Sequence, residues 1–525
     1  ARPRGLASRP SAYIHPMLSL PSRAARSLAA RSSARWLATA AAAPPLSADA
    51  QEVAALVARS RAAQAQIADY SQQQVDDLIT AMVWSIAQED VAKRIAQHTV
   101  DETQLGNYDG KYLKIFRKTR AALMDIIDDK SVGVIEELPE RGVVKIAKPV
   151  GVIGALSPST NPEATPVIKS IAAVKGRNSI IIAPHPRAQK TNALIVELMR
   201  GALVRMGAPA DLVIGIDNPS VAKTNDLMQQ ADRVLATGGG AMVKAAYSSG
   251  TPALGVGAGN AVVTVDESAD LDDAADKIAL SKTLDLAASC SSDNSVVLVG
   301  STYEPMIAKL QARGGVVLRG AEKAKLQAAL WKDGHLNSKL VAQSADNIAR
   351  IAGFEVPDGA RFFIVPEDGY GPAHPFSGEK MTVTMALYHA PDMDAAIALT
   401  NGIQAYQGQG HSCGIYSTND EHILRLALET KTSRVLVNQP QAASNSGNLW
   451  NGLRQTFSLG CGSWGGTSIS HNITWQDLVN TTYLSRPLAV PKELTADEDL
   501  FGRVKDKFGI EQTSERLIAA AAPAR

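Results

Sequence analysis

Gly151-Val152-Ile153-Gly154-Ala155-Leu156 runs directly into Ser157-Pro158-Ser159-Thr160-Asn161-Pro162-Glu163, an unbroken apolar strand leading to a loop closed by two prolines. A strand without polar alternation is buried on both faces. The pattern then repeats. Pro166 to Val174 reads as a helix, Ser179 to Ala183 as a strand, Asn192 to Met206 as a helix and Leu212 to Ile216 as extended chain. Val221 to Gln230, Arg233 to Ala236 and Met242 to Tyr247 continue as helix, strand and helix. Apolar strands separated by amphipathic helices predict an α/β fold with a parallel sheet covered on both sides. Ligands of such sheets bind beyond the carboxyl ends of the strands.

Upstream, helical periodicity covers Gln51 to Tyr70, Gln74 to His98 and Tyr112 to Asp128, with Val75, Leu78, Ile79, Met82 and Ile86 on one face. Ser131 to Ala147, turning at Leu138-Pro139-Glu140-Arg141-Gly142, reads as a hairpin, either protruding toward another subunit or lying on an internal sheet edge. Residues 1–48 form a separate population. They are rich in Arg, Ala and Ser, and no acid precedes Asp49, the composition of a mitochondrial transit peptide or of a disordered basic leader. The tail after Lys492 predicts a peripheral helix.

With 525 residues the chain exceeds one ordinary core, and two domains of roughly 200 residues each are expected. The expected division is a leader over 1–48, a cofactor domain over 49–286, a catalytic domain over 287–466 and a return segment over 467–525. A formal net charge of +1, with basic and acidic residues interspersed, argues against a nucleic-acid partner. No apolar run is long enough to span a bilayer. Cys290, Cys413 and Cys461 are too few and too scattered for a disulfide framework, and no CxxC pair points to a metal.

Three loops at strand ends are candidate ligand contacts. Ser157, Pro158 and Asn161 belong to the first, where an amide between prolines suits an oxyanion hole, although Asn-Pro is also an ordinary turn former. His185 and Arg187 follow the second strand, where an acid would normally hold an adenosine ribose. Arg187 reads either as an acceptor of a 2'-phosphate, favouring NADP, or as a solvent-facing arginine. Thr237, Gly238 and Gly239 open a helix, where backbone N–H groups approach a pyrophosphate or merely turn the chain.

Cys290 occupies a small polar loop, Ser289-Cys290-Ser291-Ser292, between an amphipathic helix and an apolar strand, where a covalent enzyme exposes a nucleophilic thiol. From Thr251 to Val265 the chain reads TPALGVGAGNAVVTV, with no carboxylate to activate water against a thioester on Cys290. Cys413 and Cys461 read as small buried residues.

Taken together, Lys148 to Ile153 running into Ser159-Thr160-Asn161-Pro162, Gly255 to Asn260, the Cys290 loop, Gly408 to Ser412 and Ser458 to Gly466 resemble the CoA-acylating branch of the aldehyde dehydrogenase superfamily. The likeness covers about Ala50 to Pro487. Ala245 to Ala253 and the Ser-Cys-Ser-Ser loop resemble the acylating sulfoacetaldehyde dehydrogenases within that branch.

The resemblance implies a Rossmann-type cofactor domain, an α/β catalytic domain and an oligomerisation hairpin, assembled as a homodimer or homotetramer. It also implies NAD or NADP as cofactor, a small aldehyde and CoA as partners, and acyl-CoA as product. Cys290 becomes the nucleophile, Asn161 an oxyanion donor, His411 the proton carrier of the CoA step, and Gly257 and Glu379 cofactor contacts. His411 and Glu379 also read, without the resemblance, as a structural histidine and a surface charge.

Aligned on Asn260-Ala261-Val262-Val263, the glutamate of the hydrolytic enzymes is replaced by Val256. Arg454 is the candidate cradle for a sulfonate, or else a fixed surface arginine. Two competing readings are a hydrolytic aldehyde dehydrogenase and a non-catalytic scaffold. The leader would direct the enzyme to the mitochondrial matrix, and without that address it would be cytoplasmic.

Overall fold

The computed structural model describes residues 47–488, 492–508 and 517–518. The basic leader expected over 1–48 therefore lies, apart from its last two positions, outside the described residues.

The first helix is Ala48–Gln66. The periodicity from Gln74 to His98 resolves into two helices, Gln72–Ala87 and Glu89–Thr103, with Gln88 extended between them at φ −65° and ψ 137°. Glu89 and Asp90 fill the first turn of the second helix, where carboxylates favour unpaired N–H groups, so a new start there is stable. The third predicted helix begins earlier, as Tyr108–Leu113, passes through a π-helical turn at Lys114–Lys118, and ends as Thr119–Ile126.

The predicted hairpin is β1 (Gly133–Leu138) paired antiparallel with β2 (Val143–Pro149). Beyond it, β3 (Val152–Ser157), β4 (Ser179–Pro184), β5 (Val213–Gly215), β6 (Arg233–Ala236) and β7 (Ala253–Gly255) form a parallel sheet in the order β5-β4-β3-β6-β7. Every residue of β3 and β4 is buried. Burying a side chain such as Ile180, Ile181 or Ile182 contributes about 1.5–3 kcal/mol.

A second, seven-stranded parallel sheet contains β8 (Ala261–Val265), β9 (Asp293–Val299) and β10 (Gly315–Val317). A two-stranded ribbon of β11 (Trp331–Lys332) and β12 (His335–Leu336) follows, and β13 (Phe362–Pro366), β14 (Thr384–Ala390), β15 (Cys413–Tyr416) and β16 (Val435–Val437) complete the large sheet. Its order is β10-β13-β14-β9-β8-β15-β16. The change of sheet thus falls between Gly255 and Ala261 rather than at the expected 286/287 division, because β8 pairs with β9 and β15.

The return segment supplies β17 (Val479–Ser485), which pairs antiparallel with β2 from Val479↔Pro149 to Ser485↔Val143. The tail helix is Asp497–Phe508.

Candidate functional site

The helix Leu271–Thr283 ends in a left-handed turn, with φ of 50° at Asp285, 52° at Leu286 and 62° at Ala287, before the chain enters the Cys290 loop and β9. That loop lies against the Gly255-to-Asn260 connection so closely that a Cβ on Gly259 would fall 2.1 Å from the Cys290 carbonyl oxygen. Glycine is required there by space rather than by φ. His411 follows the turn glycines Gly408 and Gly410, and its Nε2 stands 3.3 Å from Cys290 Sγ. Its Nδ1 is 2.9 Å from Ser412 Oγ, which fixes the ring plane.

The electrostatics of this pair differ from the ordinary behaviour of a histidine near pH 6.5. His411 is fully buried, and burial, reinforced by the Arg434 charge, pushes its pKa down to about 3. Burial likewise pushes the Cys290 thiol up to about 12, with the neighbouring Glu379 charge acting in the same direction. A low-dielectric site disfavours both charged forms. The resting pair is therefore a neutral thiol beside a neutral imidazole, able to accept a proton only as charge moves onto a bound carbonyl.

Cys290 and Asn161 line one cleft of about 560 Å³. Ser157, Pro158, His185, Thr237, Gly238, Gly239, Gly257 and Glu379 line it with them. The first, second and fourth strand ends of the small sheet meet here, at Ser157, His185 and Thr237, the position expected for a ligand of a parallel sheet. The helix Gly240–Tyr247 opens into the cleft with Gly239 as its N-cap, and a Cβ on Gly239 or Gly240 would meet nothing within 4 Å. An uncovered helix start suits a pyrophosphate. Glu379 is the one carboxylate among the lining residues, and burial pushes it up to about 8. These groups fit a nicotinamide dinucleotide.

Two candidates stand elsewhere. Arg187 is exposed and donates to the Thr103 carbonyl at 2.9 Å, outside the cleft lining. Arg454 does not line the cleft either. Its guanidinium bonds Asp125, 2.7 Å from the carbonyl oxygen, and the Asp129 carboxylate, so the expected sulfonate cradle is already occupied by two aspartates.

Cys461 and Cys413 are buried, as read. Among the described residues, Glu367, Asp368 and His374 bring ligand-type atoms within 4.8 Å of one another, but Glu367 already pairs with Lys323 at 2.9 Å and His374 at 3.0 Å.

Sequence reasoning missed two buried cations. Arg434 donates to the His411 carbonyl at 2.7 Å and the Gly460 carbonyl at 2.8 Å, tying the histidine turn to the Gly460-Cys461 turn. Lys114 Nζ donates to Asn161 Oδ1 at 2.6 Å. A signal for the second was available, since Lys111, Lys114 and Lys118 fall on one helical face. Such a row reads as solvated charge until its partners are known.

An aldehyde dehydrogenase family model matches residues 38–328. The chain is 45% identical over 465 residues to an acylating sulfoacetaldehyde dehydrogenase of Cupriavidus necator, covering 88% of this chain and 94% of that protein. It is 40% identical over 440 residues to an acetylating succinate-semialdehyde dehydrogenase of Clostridium kluyveri, covering 83% and 96%. An acetylating aldehyde dehydrogenase from Geobacillus thermoglucosidasius superposes with a TM-score of 0.82 at 34% identity, covering 85% of this chain and 98% of that one. These bacterial relatives lend no support to a mitochondrial address, and no described helix is long and apolar enough to cross a membrane.

Proposed function

The chain belongs to the aldehyde dehydrogenase family, in its CoA-acylating branch, and from that premise we propose that its aldehyde is sulfoacetaldehyde, oxidised to acyl-CoA through a thioester on Cys290. The enzyme is an oxidoreductase whose reactants are a short aldehyde, NAD(P) and CoA.

In the proposed mechanism Cys290 Sγ adds to the aldehyde carbonyl while its proton passes to His411 Nε2, 3.3 Å away. The carbonyl oxygen gains charge and accepts hydrogen bonds from Asn161 Nδ2 and the Cys290 backbone N–H. Each donor contributes about 3 kcal/mol to the transition state. The cofactor supplies the hydride acceptor when bound, held by Ser157, Pro158, Thr237, Gly238, Gly239, Gly257 and Glu379. His411 then loses its proton to solvent and takes the proton of the incoming CoA thiol. That sulfur attacks the thioester, and the departing Cys290 sulfur recovers the proton from His411.

The observation that carries an acylating outcome is Val256. It lines the cleft, 4% exposed, where the hydrolytic enzymes of the resemblance carry a glutamate, and an apolar side chain cannot deprotonate water. Turnover by the purified enzyme with sulfoacetaldehyde, with and without CoA, tests it. Obligatory CoA supports the reading, and sustained turnover without CoA would favour Glu379 as a base toward water.

An anionic substrate is supported by the half-buried ammonium of Lys118 behind the lining residue Ser446. Its Nζ bonds the Ser446 carbonyl at 2.9 Å and Gln455 Oε1 at 2.7 Å, whereas the charge of the neighbouring Lys114 is paired with Asp285. In a low-dielectric wall the Lys118 charge acts over several ångströms.

A preference for NADP is supported by the absence of an acid among the lining residues around His185, next to which Arg187 would release the Thr103 carbonyl to reach a 2'-phosphate. Arg187→Ala should then lower kcat/KM for NADP more than for NAD.

A homodimer or homotetramer is supported by the β1-β2-β17 ribbon, which exposes Val134, Tyr483 and Leu484. Light scattering on the purified enzyme and on Tyr483→Lys tests it.

A further inference from the structure

Lys114 takes no part in the chemistry above, yet its ammonium joins both halves of the reaction centre. Nζ has three oxygen acceptors: Asn161 Oδ1 at 2.6 Å, the Ala288 carbonyl at 3.1 Å and the Asp285 carboxylate. Three acceptors match the three N–H bonds of an ammonium, one more than a free amine offers. Burial pulls this ammonium toward neutrality, and Asp285 opposes it.

Asp285 is in turn held from several sides. Lys111 Nζ lies 2.9 Å from the same carboxylate oxygen, and the backbone N–H of Asn107 donates to the other at 2.9 Å. The left-handed turn from Asp285 to Ala287 presents this carboxylate to the helix, and the helix comes close because residue 110 is glycine. A Cβ on Gly110 would fall 2.5 Å from the Asp285 Cβ. Lys111 also donates to the Thr160 carbonyl at 2.5 Å, so the oxyanion loop is gripped at two successive residues.

The consequence for Asn161 is orientational. An ammonium has no acceptor, so the amide oxygen must face Lys114 and the NH2 group must face away from it. One of those N–H bonds goes to Thr160 Oγ1 at 3.2 Å, which leaves the second for the aldehyde oxygen.

We propose that Lys114, anchored by Asp285 and the Ala288 carbonyl, is the positioning residue of the oxyanion site, fixing the Asn161 amide and polarising its N–H toward the forming alkoxide. The inference rests on Asn161 being the oxyanion donor. It adds a rigid strut from the nucleophile loop to the amide, so that Cys290 and Asn161 keep their spacing as charge develops.

The test is the rate of the nicotinamide-reduction burst in the full-length enzyme with propionaldehyde and no CoA. Asn161→Ala, Lys114→Met and the double variant are compared. Asn161→Ala should slow the burst by about 10²-fold or more. Lys114→Met should slow it by about 10- to 100-fold with the aldehyde KM nearly unchanged, since the oxyanion exists only in the transition state. The double variant should be no slower than Asn161→Ala, because Lys114 acts through that amide.

Propylamine should restore part of the burst to Lys114→Ala. Equal losses from Lys114→Met in both backgrounds, or a loss carried in KM, would overturn the inference. An unaffected burst in Asn161→Ala would instead remove the oxyanion reading beneath it. If Lys114→Met does not fold, Lys114→Gln is judged by the same split between burst rate and KM and by the same cycle.

Discussion

Replacing His411 by Ala tests the thiol–imidazole pair most sharply, because its two consequences have different physical origins. The first is kinetic. The imidazole is the group in contact with Cys290 Sγ, at 3.3 Å, and a positioned base contributes about 10²- to 10⁴-fold. His411→Ala should lower the burst rate of nicotinamide reduction within that range, and CoA-dependent turnover at least as much, since both sulfur transfers use the same nitrogen.

The second consequence concerns pH. With its pKa pushed down to about 3, His411 stays neutral and able to accept a proton throughout pH 5–8, so the wild-type kcat/KM profile should show no acidic limb near 6.5. Stopped-flow absorbance at 340 nm, from pH 5 to 9, measures both. A wild-type limb with an apparent pKa near 6.5 that disappears in His411→Ala would refute the reasoning, as it would mean the buried ring ionises freely. An unchanged burst in the variant would refute the assignment of the base.

The remaining predictions concern the thiol, the displaced arginine and the substrate charge. With its pKa pushed up to about 12, Cys290 in the cofactor-free enzyme should alkylate with iodoacetamide more slowly than free cysteine, by about 10³-fold at pH 8, with the rate still climbing at pH 9. A plateau below pH 9 would contradict the buried neutral thiol. Arg454→Ala should lower stability by about 1–3 kcal/mol by freeing part-buried Asp125 and Asp129, measured by urea denaturation, and should raise KM equally for sulfoacetaldehyde and propionaldehyde, if at all. Lys118, pushed down to about 7 by burial, carries its charge below that pH and loses it above. The KM for sulfoacetaldehyde relative to propionaldehyde should therefore rise between pH 6 and 8, and Lys118→Met should flatten that rise.

What could be read from the chain beforehand divides by sequence distance. The helix Val221–Gln230 and the strand Arg233–Ala236 were legible to the residue, because periodicity and apolar runs are local. The boundary at Gln88 was not, since the apolar stripe continues across it and only the extended ψ of one residue divides the helices. Cys290 could be picked out because it stands in a distinctive loop, whereas Val256 and the oxyanion role of Asn161 came from the family resemblance. Lys114 could not, for its partner Asp285 is 171 residues away and reaches it through a left-handed turn that no residue type announces. Arg454 was undecided for the same reason. Between its two readings, sulfonate cradle or fixed arginine, the sequence around it could not choose, because Asp125 and Asp129, more than 300 residues earlier, hold it outside the cleft. The lowered pKa of His411 was not legible either, since it comes from burial, which depends on packing around the seven-stranded sheet.

The most direct test of the central claim is to mix the enzyme with sulfoacetaldehyde and NAD(P) in the absence of CoA, trap it in acid, and weigh the Cys290 peptide by mass spectrometry. The account predicts a stoichiometric burst of reduced nicotinamide, a stable acyl adduct on Cys290, and release of that adduct as acyl-CoA when CoA is added. Continuous turnover to the free acid without CoA, or an adduct on another residue, would contradict it.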